Sequence, residues 1–303
     1  NTPPSMDDIA KLLDAPLAAE FDVYHYKDRY WILDESGEKY ISLNDSSMTR
    51  RLKMLGYSHK AGDDGSPSAI DKIKDDTIFS NTIDFVTPVA GRSVGLQTDD
   101  NGKRVLINSK NKRVDAVQGD WSTIRGIIEG MLKEQAVYLY AWLKIARKQL
   151  QTEQFTQGHV LALAGETNCG KSLTGSMIIK PLLGRSSDPK KYLTTDSTFN
   201  ANLVTCELLI MDDKAQRRTA EARTYLAHGL KDIAASSYEV DCEPKGVDAF
   251  QVHPLWRMLY MLNDDDAALC AFPPIGEGDC NSIGDKVLLL KCWNDTPLPF
   301  TGH

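Results

Sequence analysis

The stretch LALAGETNCGKSLTGS, residues 161–176, constrains the fold of this chain more than any other segment. An apolar run ends at Gly165, and Gly170-Lys171-Ser172 follows at the spacing of a phosphate-binding loop. HVLALA before the loop is typical of a buried strand, and KSLTGSMIIKPLL after it is typical of a helix. The sequence therefore predicts an α/β fold, a parallel sheet flanked by helices, with a phosphate site at a strand-to-helix corner.

The residue types in this loop suit a nucleotide and magnesium. Glycines let backbone N–H groups wrap the phosphates, Lys171 reaches the β and γ oxygens, and Ser172 places its hydroxyl on Mg²⁺. ATP and Mg²⁺ are therefore the expected cofactors. The expected nucleotide-binding positions form one continuous run: Gly165, Glu166, Thr167, Asn168, Cys169, Gly170, Lys171, Ser172 and Leu173.

Two later apolar runs also end in polar residues. CELLIMDD, residues 206–213, is predicted to be a strand that presents Asp212 to Mg²⁺ and Asp213 to the attacking water. An acidic pair at this place could also cap the next helix, and the two roles are compatible. WRMLYMLNDDD, residues 256–266, predicts a third strand ending at Asn263, whose amide is expected to sense the γ-phosphate.

The succession GETNCGKS, LLIMDD and YMLN resembles superfamily 3 helicases of the AAA+ class. Within that superfamily it is similar to the helicase part of phage- and plasmid-type primase-helicases, akin to poxvirus-type and virulence-associated-protein-E-like proteins. AWLKIA, TFNANL and FPPIGEGDCNSIGDKVLLLK fit the same family, so the resemblance covers roughly residues 120–295. It implies an AAA+-like ATPase domain that works as an ATP-dependent DNA helicase or translocase in mobile-element replication.

The resemblance also implies partners and further site residues. A hairpin at 237–252 is expected to engage single-stranded or forked DNA, with Lys231 and Lys245 as the contacting cations. A homo-oligomer, most simply a hexamer, is expected because ring helicases complete each site from a neighbouring subunit. A primase or polymerase module would lie outside these residues.

One departure from the family concerns the arginine that a ring neighbour supplies to the γ-phosphate. The chain contains no arginine after Arg257. The cation would then be Lys286 or an arginine after the acidic pair, and Arg223 has the placement to test first among Arg217, Arg218 and Arg223. With Arg223 the expected catalytic set is Lys171, Asp213, Asn263 and Arg223. If no cation serves, the alternative is an ATP-binding switch or scaffold of a replication or defence complex without motor activity.

Periodicity divides the chain into three parts. Residues 1–120 predict an α+β accessory module, with a helix in 1–20, a hairpin about ESGE and a second hairpin in VGLQTDDNGKRVLIN. Residues 121–155 predict a helical linker or collar, and the resemblance implies that residues 156–303 form the AAA+ ATPase domain. A small-molecule kinase is disfavoured because the arginine-free C-terminal stretch offers no Arg-rich lid. A GTPase is disfavoured because no Asn-Lys-x-Asp base reader is present.

The net charge and the cysteine content limit the expected partners and the expected cellular compartment. A net charge of −7 argues against a large surface that tracks nucleic-acid phosphates, although Lys103, Arg104, Lys110, Lys112 and Arg113 form a local basic run. The six cysteines form no CxxC pair, so a reducing, cytoplasmic setting is expected, in a bacterial host if the gene belongs to a phage or plasmid.

Overall fold

A computed structural model describes residues 22–63, 65–194, 198–212, 219–235, 239–275 and 283–296. The chain forms two compact units, and the first consists of Asn1–Pro88 with Val94–Lys110. The second consists of Val89–Ser93 with Asn111–His303. The helix that the sequence predicts within residues 1–20 lies outside the described residues.

In the described residues, the first unit contains two small sheets and two helices. Its elements are β1 (Val23–Tyr26), β2 (Arg29–Leu33), β3 (Tyr40–Leu43), α1 (Asp45–Met54), α2 (Ala69–Ser80), β4 (Phe85–Thr87), β5 (Gly95–Thr98) and β6 (Arg104–Ile107). Strands β1, β2 and β3 pair antiparallel, and the predicted hairpin about ESGE is confirmed as the β2–β3 connection. The second predicted hairpin is confirmed as β5–β6, while β4 adds to β6 in parallel. The unit is therefore α+β.

The second unit contains the remaining elements of the described residues. They are α3 (Ser122–Leu132), a 3₁₀ turn (Lys133–Gln135), α4 (Ala136–Thr152), β7 (Val160–Gly165), α5 (Lys171–Leu173), a π-helical segment (Thr174–Ile179), α6 (Lys180–Leu183), β8 (Ser186–Ser187), α7 (Lys190–Leu193), β9 (Leu208–Asp212), α8 (Ala220–Ala235), β10 (Val240–Cys242), β11 (Phe250–Val252), β12 (Arg257–Leu262), α9 (Asp266–Ala271) and β13 (Val287–Cys292). The segments α5, π and α6 follow one another without a break.

Five strands of this unit form one parallel sheet in the order β13-β7-β12-β9-β8. Every residue of β7 and β12 is buried, which explains why both read as continuous apolar runs rather than alternating patterns. Side chains of α3, α4 and the helix after β7 pack into one core with β7 and β12. The predicted fold class is confirmed: a parallel α/β sheet flanked by helices, consistent with an AAA+-like fold and preceded by a smaller α+β unit.

Because these strands are parallel, their ends collect at two opposite edges of the sheet. We call the edge with Gly165, Asp212, Leu262 and Cys292 the carboxyl edge. We call the edge with Val160, Leu208, Arg257 and Val287 the amino edge. In open parallel sheets, ligands bind beyond the carboxyl ends of the strands, so the carboxyl edge is where a site is expected. None of the helices in the described ranges combines the length and apolar character needed to cross a bilayer.

Candidate nucleotide-binding site

The two glycines of the loop are required for different reasons. A Cβ at Gly165 would lie 2.4 Å from the carbonyl oxygen of Cys292, so only glycine allows β7 and β13 to approach this closely. Gly170 has φ of 102°, a backbone conformation that side-chain-bearing residues rarely adopt. Asn168, with φ of 64°, is also left-handed, which asparagine tolerates better than most residues. The loop is thus a tight backbone turn between β7 and α5.

The backbone of this turn is available to an anion. Residues 166–168 are exposed, and outside the strand and helix ladders no acceptor for the main-chain N–H groups of residues 167–170 is found in the described part of the chain. The helix that begins at Lys171 adds the N–H groups of its first turn. Free N–H groups at a strand-to-helix corner attract phosphate, which agrees with the function expected of this loop.

Lys171 is buried and folded back onto its own loop. Its Nζ donates to the carbonyl oxygens of Gly165 at 2.6 Å and Glu166 at 2.8 Å, and it lies 3.5 Å from the sulfur of Cys169. All three partners lie within six residues of the lysine in sequence. These contacts keep the ammonium at the mouth of the loop, where phosphate oxygens would compete for it.

Cys169 has an unusual electrostatic environment. The pKa of its thiol falls to about 6, first because the Cys292 thiol hydrogen-bonds to its sulfur and then because of the Lys171 ammonium. The pKa of Cys292 is raised by the same hydrogen bond and by burial. Sequence reasoning missed Cys292, since no cysteine spacing indicates it. Only the pairing of β13 with β7 brings it to the loop.

The oxygen donors expected for magnesium lie at the carboxyl edge. Ser172 is exposed in the first turn after the loop, and Asp212 is exposed at the end of β9. Within the described ranges no three His, Cys, Asp or Glu side chains form a metal-binding group. A hydroxyl and one carboxylate fit Mg²⁺, which takes few protein ligands and completes its shell with phosphate and water. Asp213, the second carboxylate of the pair, lies outside the described residues.

Asn263 directly follows β12, which lies between β7 and β9. Leu262 pairs with Ala164 of β7, and Met261 pairs with Asp212 of β9. The end of β12 is therefore level with the start of the loop on one side and with Asp212 on the other. The structure brings the positions expected for the lysine, the metal carboxylate and the sensor amide to one edge of three adjacent strands.

The candidate trans-acting cations are distributed differently. Arg223 lies in α8, half-buried, and its Nε is buried without a hydrogen-bond partner in the described part of the chain. Lys286 precedes β13 at the amino edge and forms an ion pair with Asp285 at 3.0 Å. Arg217 and Arg218 lie outside the described residues. Arg223 thus remains the candidate to test first.

The predicted hairpin is confirmed over its described part. Val240–Cys242 pairs antiparallel with Phe250–Val252, while residues 237 and 238 lie outside the described residues. Lys245 is exposed in the connecting turn, and Lys231 is half-buried in α8. Three acidic side chains are also exposed on or beside this hairpin: Asp241, Glu243 and Asp248. Any attraction to DNA at this hairpin must therefore be local.

Two arginines of the basic run serve the structure instead of a free basic face. The Arg104 guanidinium donates to the carbonyl oxygens of Ser80 and Thr82. In the second unit, the Arg113 guanidinium donates to the carbonyl oxygen of Leu150 at 3.0 Å. Both side chains therefore complete the hydrogen bonding of the backbone within their own units.

Comparison with known proteins places this geometry in context. A family of unknown function (DUF5906) matches residues 163–272, from the phosphate loop to α9. No curated protein matches the chain. Three apo structures of the NrS-1 C-terminal region match 94% of this chain at 12% identity, with TM-scores of 0.55, 0.53 and 0.51. The JCV helicase bound to a thiazolopyridine compound matches 55% of this chain at a TM-score of 0.33, which is too low to indicate a shared fold.

These likenesses concern the fold. At 12% identity, the NrS-1 structures show that this chain has the fold of that C-terminal region. The chain spans about three fifths of the length of those solved chains, with 60% to 61% of each covered.

Proposed function

We propose that this chain is the ATP-hydrolysing segment of a DNA helicase or translocase, of the superfamily 3 kind, from a mobile-element replication protein. One observation carries the proposal. The phosphate loop with its buried Lys171 lies at the carboxyl edge, and Asp212 and Asn263 lie at the ends of two further strands on the same edge.

The proposed mechanism is in-line attack of water on the γ-phosphate. The loop N–H groups hold the phosphates, and Lys171 exchanges its carbonyl partners for β and γ oxygens. Ser172 and Asp212 would hold Mg²⁺, which would supply positive charge against the phosphate oxygens. Asp213 positions the attacking water, and Asn263 reports the state of the γ-phosphate to its strand.

DNA engagement is assigned to the hairpin and α8. One exposed lysine per subunit becomes a ring of charge in a hexamer, so Lys245, supported by Lys231, would contact single-stranded or forked DNA. Arg223, whose Nε lacks a partner in the described ranges, would act on the neighbouring subunit's γ-phosphate.

A specific observation favours the second candidate, an ATP-binding switch or scaffold. The net charge is −7, and Asp241, Glu243 and Asp248 are exposed on or beside the hairpin assigned to DNA. A switch needs the phosphate loop and a conformational response, but it needs neither DNA stimulation nor a trans-acting arginine.

ATP turnover with and without single-stranded DNA distinguishes the two candidates. The Lys171→Ala variant is expected to lose at least about 100-fold in turnover, because a preorganised cation at the transferring phosphoryl group is removed. Lys180→Ala removes an exposed lysine from the continuation of the same helix and is the matched control with unchanged turnover. Turnover that survives in Lys171→Ala would refute the assignment of the loop, and wild-type turnover indifferent to DNA would favour the switch.

The hairpin is tested in the same assay by replacing Lys245 with alanine. Stimulation by single-stranded DNA is expected to fall several-fold in Lys245→Ala, because one phosphate contact per subunit is lost around the ring. Basal turnover stays the same. Lys191→Ala, which removes an exposed lysine of α7, serves as the comparison. Equal stimulation in both variants would remove this hairpin from the DNA interface.

A further inference from the structure

Two thiols meet at the carboxyl edge where β7 leads into the loop. Cys292, the last residue of β13, pairs in register with Gly165, and a Cβ at Gly165 would lie 2.7 Å from the Cβ of Cys292. Cys169 lies four residues further along the loop, and the Cys292 thiol is the first cause of the lowered pKa of Cys169. Cys169 is 5% exposed and Cys292 is 2% exposed. The strand pairing and the turn of the loop thus bring two thiols to the same corner of the sheet.

The two thiols differ in reactivity. The Lys171 ammonium lies 3.5 Å from the Cys169 sulfur, and the pKa of Cys169 is lowered to about 6 while that of Cys292 is raised. At neutral pH, Cys169 is therefore largely thiolate, and the neighbouring Cys292 is a protonated thiol. A thiolate next to a second thiol is the arrangement of an oxidisable cysteine with its resolving partner.

The other described cysteines lack this arrangement. Burial raises the pKa of Cys242 to about 12 and also raises that of Cys206. Cys270 is exposed on α9. Among the five described cysteines, Cys169 and Cys292 are the pair in which one sulfur hydrogen-bonds to the other.

We propose that Cys169 and Cys292 form a reversible disulfide when the protein meets hydrogen peroxide, and that this bond disables the phosphate loop. The Cys169 thiolate attacks one peroxide oxygen, the O–O bond breaks, and Cys169 becomes a sulfenic acid while hydroxide leaves and is protonated to water. The Cys292 sulfur then attacks the sulfenic sulfur, and its proton leaves with the departing oxygen as a second water. Two electrons pass from the two thiols to one peroxide molecule.

The consequence for nucleotide, which rests on the proposed function, follows from the geometry of Lys171. The disulfide would tie the middle of the loop to the end of β13 and remove the thiolate that Lys171 contacts. The N–H groups of residues 166–170 could then no longer adjust around phosphates. A nucleotide that holds the loop and draws Lys171 to its phosphates would in turn slow the oxidation.

The test oxidises the purified chain with hydrogen peroxide and maps its peptides without reduction. We expect a linked pair of peptides carrying Cys169 and Cys292, lighter than the separate peptides by two hydrogens. A thiol reductant separates the pair. Binding of a fluorescent ATP analogue is lost on oxidation and returns on reduction, and Mg²⁺ with ATP added before the peroxide slows formation of the link.

Two variants make the result specific. In Cys292→Ala no link forms, and Cys169 proceeds to the sulfinic acid, two oxygens heavier, so that loss of binding is no longer reversed by reductant. Cys270→Ser lacks an exposed cysteine and behaves like the wild type. A wild-type map in which Cys169 and Cys292 remain thiols, or in which they are linked to other cysteines, overturns the inference.

The two proposals fail in different ways. If the linked peptides appear but the reduced protein binds no nucleotide analogue, the proposed function falls and the disulfide stands. If the reduced protein binds the analogue and peroxide produces no link, the disulfide falls and the proposed function stands.

Discussion

The carboxyl and amino edges of the parallel sheet both contain buried charged side chains, but the partners differ in kind. At the carboxyl edge, Lys171 contacts two carbonyls and a thiol, all from its own loop. At the amino edge, Glu207 just before β9 and Arg257 at the start of β12 contact groups far away in sequence. Short-range contacts can be exchanged by moving one loop, whereas long-range contacts hold separate segments of the chain together.

Glu207 shows the long-range type clearly. Its carboxylate accepts hydrogen bonds from the Gly91 N–H at 3.0 Å, the Arg185 N–H at 2.9 Å and the Asn111 amide at 2.9 and 3.0 Å. Gly91 and Asn111 belong to the two stretches at which the chain leaves and re-enters the second unit. One carboxylate thus fixes both stretches and the residue before β8 onto the amino edge.

Arg257 satisfies its charge without a carboxylate. Its guanidinium donates to the side-chain oxygen of Gln149 at 2.5 Å, the carbonyl of Thr156 at 2.7 Å and the carbonyl of Trp256 at 3.1 Å. Burial lowers its pKa to about 10, so it remains charged at neutral pH. The comparison teaches that a buried charge by itself does not indicate a site, because its partners decide whether it is available to a ligand.

The largest expected effect is the loss of ATP turnover on replacing Lys171 at the carboxyl edge, with little change in stability. Lys171→Ala, which is expected to abolish turnover, should change the free energy of unfolding by less than about 1 kcal/mol, because the cost of burying the ammonium offsets its hydrogen bonds. Urea denaturation measures the free energy of unfolding. A loss of several kcal/mol in the free energy of unfolding would show that Lys171 stabilises the fold in the way expected of Glu207 and Arg257, and the two edges would then not differ.

The next effect concerns Glu207 at the amino edge. Glu207→Gln places an amide donor among N–H donors, and we expect the free energy of unfolding to fall by about 2–3 kcal/mol. Turnover per folded molecule at low temperature stays close to wild type. Glu221→Gln, an exposed glutamate in the first turn of α8, is the matched control with an effect below about 0.5 kcal/mol. Equal stabilities of the two variants would contradict the anchoring role.

A smaller loss in the free energy of unfolding is expected when Arg257 is replaced. Arg257→Met leaves the carbonyl of Thr156 and the oxygen of Gln149 without this donor, but it also removes a desolvated charge. The two effects oppose each other, and we expect a net loss of about 1–2 kcal/mol by urea denaturation. Arg185→Met, at an exposed position beside β8, controls for the substitution itself. A loss larger than that of Glu207→Gln would reverse the ranking within the amino edge.

The smallest expected effect is a change in the pH dependence with which the Cys169 thiol reacts. Because the folded protein lowers the pKa of Cys169 to about 6, its alkylation by iodoacetamide should rise with pH through about 6, below the range of an ordinary thiol. In Cys292→Ala the hydrogen bond that contributes most is lost, and the midpoint moves upward. Mass spectrometry of the Cys169 peptide across a pH series measures both curves. Superimposable curves would show that Cys292 does not act on Cys169.

The parts of the candidate site that consist of consecutive residues could be predicted from the sequence. The loop from Gly165 to Ser172 is one continuous motif, and the strands before Asp212 and Asn263 are buried apolar runs that end in polar residues. The α/β class followed from the same runs, because fully buried parallel strands lack an alternating pattern. The roles of the predicted catalytic, nucleotide-binding, metal-binding and DNA-binding residues all stay predictions.

Three other features of the structure could not be predicted from short stretches of the sequence. The amino-edge bonds of Glu207 join positions 96 and 116 residues apart, and no spacing rule connects them. The π-helical segment Thr174–Ile179 reads in sequence like any apolar helix, and so it was not expected. The nearness of Cys292 to the loop depends on β13 pairing with β7 at the edge of the sheet.

By itself, the amino-acid sequence determined the glycine-containing turn from Gly165 to Ser172, the polar residues at three strand ends, and the hairpin of β10 and β11. These depend on residue type and short spacing, which act over a few peptide units. The tertiary structure alone decided that β12 lies between β7 and β9 and that Cys292 lies beside the loop. It also decided which distant groups form hydrogen bonds with the buried side chains of Glu207 and Arg257. Strand order and long-range hydrogen bonds arise from packing the whole sheet, because each strand buries its surface only against neighbours that the chain brings from far away.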